Sequence, residues 1–177
     1  MHRLVLVFLL LGSLAQAQGL EEWITEVLDH ERTGGDKRAQ LLDRIAKANG
    51  MDRLAERALL PSADPAVVQD TVRKLFETDG WARHLEKVLA LSALDAFRAR
   101  VLVQVQRAGE GERGPALLAG LAEVARGKTA ASGADPALRR SAVVALGRVP
   151  RRAALEGVLE IWAQAADDQV RIACATL

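Results

Sequence analysis

The segment Asp135-Pro136-Ala137-Leu138-Arg139, running on to Leu146-Gly147, returns 32 residues later as Asp167-Asp168-Gln169-Val170-Arg171, running on to Leu177. Each copy has an Asp, an apolar residue three places on and an Arg four places on. A weaker copy starts at Asp64-Pro65 and carries Val68 where the others carry Arg. Another starts near Leu94, with Phe97, Arg98 and Val101 in register and no acidic residue at its head. Starts at 64, 94, 135 and 167 describe a chain that repeats one small unit. Such a unit cannot bury its apolar face alone, so copies must stack on one another.

The unit is helical. All five Pro, at 61, 65, 115, 136 and 150, fall between stretches whose apolar residues recur at helical spacing, where a missing N–H costs nothing. Leu20, Trp23, Ile24, Val27 and Leu28 make one such face, Leu41, Leu42 and Ile45 another, and Met51, Leu54, Ala58 and Leu59 a third. The series continues through Val67–Phe76, Trp81–Leu89, Leu94–Val105 and Leu117–Val124 to Leu155, Val158, Leu159 and Trp162. The β-like tract Val101–Val105 lies within the helical period that begins at Leu94 and is read as helix. Asp64-Pro65 and Asp135-Pro136 place a carboxylate at an N-cap and a preset φ at the first helical position. Asn49-Gly50, Asp79-Gly80 and Leu146-Gly147 are read as helix stops. About nine short helices result, with 127–134 the one longer loop, expected to be mobile.

The pattern Asp-Pro-x-Val/Leu-Arg, followed by spaced Ala and a closing Leu-Gly, resembles HEAT repeats, in particular the short bacterial HEAT-like repeats related to those of phycobilisome lyases. The resemblance is close over 135–177, partial over 64–105 and nearly absent before that. It implies an all-α fold, an α-solenoid of stacked helical hairpins with first helices on the convex side and second helices on the concave side. It also implies structural roles for Asp135, Arg139, Asp167 and Arg171, laddering between neighbouring repeats. The expected organisation is a signal peptide at 1–17, a helical cap and degenerate hairpin at 18–60, and HEAT-like repeats at 61–177. The last of these is incomplete at Leu177. Terminal repeats of such arrays carry a polar capping face, so the C-terminal end reads as open: a fragment of a longer array, or a surface for docking or self-association.

Residues 1–17 read as an export signal. His2 and Arg3 precede the unbroken apolar run Leu4–Leu11, and Ala15-Gln16-Ala17 is a small-x-small cleavage site. The run is far shorter than the roughly 20 residues a spanning helix needs. Cleavage before Gln18 leaves 160 of the 177 residues, with 23 basic and 23 acidic side chains. Zero net charge argues against a nucleic-acid partner. The expected location is periplasmic or extracellular, where the single Cys174 is best hidden.

Chemistry-bearing motifs are weak. Gly109-Glu110-Gly111-Glu112-Arg113-Gly114 matches a dinucleotide-binding pattern, but two acidic side chains would face the pyrophosphate, so it reads as an inter-helix turn. Gly127-Lys128-Thr129 lacks the first Gly of a P-loop. His30 and His84 read as surface histidines, and no metal or other cofactor is expected. Trp23, Trp81 and Trp162 occupy apolar helical positions and read as core.

Between Pro136 and Leu155 there are five Arg and no acid. With Arg139 assigned to the ladder, Arg140, Arg148, Arg151 and Arg152 remain as a candidate binding patch for an anion or acidic partner. The balancing reading is a solvated turn neutralised by Glu156 and Glu160. The expected function is non-enzymatic: a protein-binding or scaffold module holding another protein on the solenoid surface. The alternatives are a lyase-type or other small-molecule-binding enzyme of the HEAT-like group, or the structural arm of a larger enzyme.

Overall fold

The structure, a computed structural model, describes residues 18–29 and 31–177. The expected signal segment 1–17 and His30 lie outside these residues. A first helix, α1, covers 18–28. It is followed by α2 (Gly35–Lys47), α3 (Met51–Ala58), α4 (Pro65–Phe76), α5 (Trp81–Ser92) and α6 (Asp95–Glu110). The remaining helices are α7 (Gly114–Ala125), α8 (Ala130–Ala134), α9 (Pro136–Arg148), α10 (Arg152–Gln164) and α11 (Asp168–Ala175). Among the described residues there is no strand, and Val101–Val105 lies inside α6.

The caps follow the expected chemistry. Asp64 accepts hydrogen bonds from Ala66 N and Val67 N, Asp135 from Ala137 N and Leu138 N, and Asp167 from Val170 N. Asn49 adopts a left-handed φ of 54° and turns the chain from α2 into α3. Two expectations fail here. The stretch 127–134 is not an open loop, because Thr129 and Ser132 form a capping box that starts the short helix α8. Gly147 does not stop α9, which runs on to Arg148; the missing side chain instead makes room for Leu177, whose Cδ1 would lie 2.6 Å from an added Cβ.

Alternate helices pack in sequence: α4 on α2, α6 on α4, α9 on α6 and α11 on α9, while α5, α7 and α10 pack successively beside them. The core runs continuously along both rows, through fully buried Leu42, Leu54, Leu75, Leu89, Leu121 and Ile161. One contact breaks the neighbour-only pattern. Helix α5 packs directly against α9, and the Thr129 hydroxyl that caps α8 donates to the Glu86 carboxylate on α5. The extra helix between α7 and α9 therefore docks α9 back on α5.

Polar pairs link successive helices within each row at a nearly fixed separation. Arg38 reaches Asp70 across 32 residues, Arg100 reaches Gln69 across 31, Arg113 reaches Asp79 across 34 and Arg126 reaches Glu160 across 34. Arg83 and Lys87 on α5 pair with Asp52 and Glu56 on α3, each 31 residues away. Pairs of this spacing thus reach α2 and α3, where the sequence motif had faded. Lys87 holds the Glu56 carboxyl below its usual range, and Lys74 does the same for Asp43. Burial works to lower the Lys74 pKa, but its hydrogen bonds to Asp43 and Glu77 outweigh that effect and raise it. Most of these pairs are exposed, so they act more on register than on stability.

Gly157 stands in the interior of α10 with open space around an added Cβ. A Gly157→Ala variant gains helix propensity without a clash. Its unfolding free energy should rise by about 0.5–1 kcal/mol, measured by urea denaturation.

Candidate functional site

The last three helices carry nearly everything the sequence had marked for binding. Helix α9 starts on the Asp135 cap and places Arg139 one turn in, where its Nη2 lies 3.2 Å from Asp167 Oδ2 at the head of α11. Arg139 and Asp167 therefore link α9 to α11. Asp135 acts as a cap, and Arg171 is exposed and makes no ion pair among the described residues.

The four remaining arginines do not converge. Arg151 Nη2 donates to the carbonyls of Glu110 and Gly111 at 2.8 and 3.1 Å, satisfying the C-terminal end of α6. Arg152 pairs with Glu156 at 2.8 Å along α10. Arg140 lies near the start of α9 and Arg148 at its end, about 12 Å apart along the axis at the helical rise. Arg148 sits beside the outer face of α6, near Asp95 and Arg98. Two of the four are thus committed to intramolecular contacts and the other two stand apart.

Helix α10 holds the surface that sequence reading missed. Its buried residues are Ala154, Val158 and Ile161, whereas Leu155, Leu159 and Trp162 are exposed by 60, 57 and 47%. Trp162 is therefore not core, unlike Trp81, which is buried against Phe76, and unlike Trp23, which is half-buried under the Arg44 guanidinium. At about 100° per residue, the apolar arc of α10 runs from Ile161 through Val158 and Trp162 to Leu159. That arc is wider than α7, α9 and α11 cover, so its far flank stays in water. Residues at 155, 159 and 162 are spaced i, i+4, i+7 and form one continuous stripe. The acids beside the stripe are already neutralised, Glu156 by Arg152 and Glu160 by Arg126 at 2.6 Å.

Other sequence candidates resolve as follows. His84 is not a surface residue but is 4% exposed, with Nε2 2.9 Å from Asp52 Oδ1, because its helical position continues the buried face of Trp81, Leu85 and Val88. Gly109, Gly111 and Gly114 lie at the α6–α7 connection; an added Cβ at Gly114 would sit 2.2 Å from the Gly109 carbonyl oxygen, so close packing accounts for this glycine. Cys174 is buried, and burial pushes its thiol above the ordinary range, which suppresses thiolate chemistry. Among the described residues no cluster of three or more His, Cys, Asp or Glu is arranged to hold a metal, and no helix is long and apolar enough to cross a membrane. No known protein family, curated protein or solved structure matches this chain.

Proposed function

We propose that this protein is a non-enzymatic protein-binding and scaffold module, an α-solenoid of HEAT-like hairpins exported through its N-terminal segment. Three features support the solenoid reading: the row-by-row helix packing, the polar bridges at separations of 31–34 residues, and the Arg139–Asp167 link between layers. The observation that carries the binding reading is the solvent-facing stripe of Leu155, Leu159 and Trp162. A contiguous apolar stripe with an aromatic anchor is the composition of a contact surface.

The occupant is a second copy of this chain. The stripe is self-complementary, and its flanking acids are neutralised within each copy, so two α10 helices meet about a two-fold axis without like-charge repulsion. Sedimentation equilibrium over a concentration series should show a reversible dimer. Leu159→Asp and Trp162→Asp should each weaken the dimer at least about tenfold while leaving the helical circular-dichroism signal unchanged. A monomer at every concentration, or a dimer indifferent to both substitutions, overturns this reading.

A further inference from the structure

The connection between α2 and α3 is built on Asn49-Gly50, where Asn49 takes a left-handed φ of 54°. The turn is a complete Schellman motif: Gly50 N donates to the Ile45 carbonyl at 2.8 Å and Asn49 N to the Ala46 carbonyl at 3.0 Å. Its two residues have opposite surroundings. Asn49 is exposed, and its side-chain amide makes no hydrogen bond among the described residues. Gly50 is buried beneath α1, where an added Cβ would lie 2.4 Å from Leu20 Cδ1 and 3.1 Å from Ile45 Cγ2.

Asn is a thermolabile side chain, and Gly is the following residue that shields it least, having no Cβ to stand between its backbone nitrogen and the Asn side-chain carbonyl. The folded turn blocks that attack twice. Closing a five-membered ring requires rotation about the Asn49 Cα–C bond, which breaks the hydrogen bond from Gly50 N to Ile45. It also shifts Gly50, which is packed too tightly under Leu20 to move while α1 stays seated. The turn must open, with α1 lifted, before the chemistry begins.

We propose that Asn49-Gly50 is a site of spontaneous deamidation gated by release of α1, so that conversion records time spent locally open. Gly50 N forms a bond to Asn49 Cγ and loses its proton, the Cγ–Nδ2 bond breaks and ammonia leaves, giving a succinimide. Water then opens the ring. Cleavage of the Cγ–N bond restores an ordinary backbone with aspartate at position 49; cleavage between the backbone carbonyl carbon and nitrogen leaves an isoaspartyl linkage. Either product carries a new negative charge. The isoaspartyl form also lengthens the backbone by one methylene, which the close fit of Gly50 beneath Leu20 does not accept, so the first helices cannot reseat. The turn lies at the other end of the helix series from α10, and the inference is independent of the dimer surface.

Incubation of the purified full chain in warm neutral buffer, with ion exchange to resolve the gained charge and peptide mapping to locate it, gives the rate. The folded protein should react at least about tenfold more slowly than the chain in urea. Leu20→Ala should speed the folded reaction at least about tenfold, with the milder Leu20→Val between it and wild type. Leu89→Ala weakens the fold as a whole from α5, and should leave the rate within about twofold of wild type, because the open turn is populated without global unfolding. The isolated isoaspartyl form should unfold at a lower urea concentration than the unmodified protein. Equal rates in the folded and urea-unfolded chain, or Leu20 variants that react as wild type, overturn the proposal. So does a Leu89→Ala variant accelerated as much as Leu20→Ala, which would assign the reaction to global unfolding, or an isoaspartyl form as stable as the unmodified protein.

Discussion

Replacing Asp70 by Ala lowers the unfolding free energy by about 2–3 kcal/mol, and replacing its partner Arg38 by Met costs clearly less. The asymmetry follows from burial. The Arg38 side chain is 7% exposed, with Nη1 3.0 Å from Asp70 Oδ2, Nη2 2.9 Å from the Thr33 carbonyl and Nε without a partner. Truncating Asp70 strands this cation with a single carbonyl acceptor, whereas Met keeps the apolar stem and removes the charge that needed compensation. The Asp70 side chain is itself 28% exposed, so water enters the gap and the cost stays at the lower end for a broken buried pair. Urea denaturation of the two single variants and the double variant measures the effect; an Arg38→Met variant less stable than Asp70→Ala would show that the ion pair is not what the site requires.

The second large effect is Leu89→Ala, expected to cost about 3–4 kcal/mol. Leu89 is fully buried on α5, the helix that packs against α4, α6, α7 and α9 together. Neighbours held from four sides collapse poorly around a void, so the cavity contribution adds to the lost transfer energy. Leu155→Ala, the same substitution at a residue 60% exposed, should change the unfolding free energy by no more than about 0.5 kcal/mol. Thermal and urea denaturation of both variants checks the pair.

That contrast marks where the sequence was legible and where it was not. Leu89 and Leu155 both stand at apolar helical positions, and periodicity finds the face of a helix without saying how much of a wide apolar arc its neighbours reach. The all-helical class and the Asp64 and Asp135 caps were readable because each rests on local chemistry. Helix α8 was not, since its short capping box lies in a Gly- and Ser-containing stretch whose composition signals a loop.

Three of the buried polar residues follow one rule. Arg38 shares its face with Leu41, Leu42 and Ile45, His84 with Trp81, Leu85 and Val88, and Gln104 with Phe97, Val101 and Val105. A polar residue in register with an apolar stripe is a signal available from spacing alone, and here it marks an inter-layer ion pair, a buried imidazole and an unpartnered amide. The arginines between 139 and 152 show the converse. Crowding along the chain brings no convergence in space when one guanidinium caps α6, another pairs along α10 and the remaining two stand two turns apart on α9.

A stack whose layers touch only their neighbours opens from either end by peeling, one layer at a time. The grip of α9 on α5 denies that route to the centre of this molecule. Helices α5, α6, α7 and α9 form a closed ring of contacts, so none of them detaches while the other three stay in place. The middle of the chain behaves as one cooperative block between more easily released ends, α2 with α3 on one side and α11 on the other.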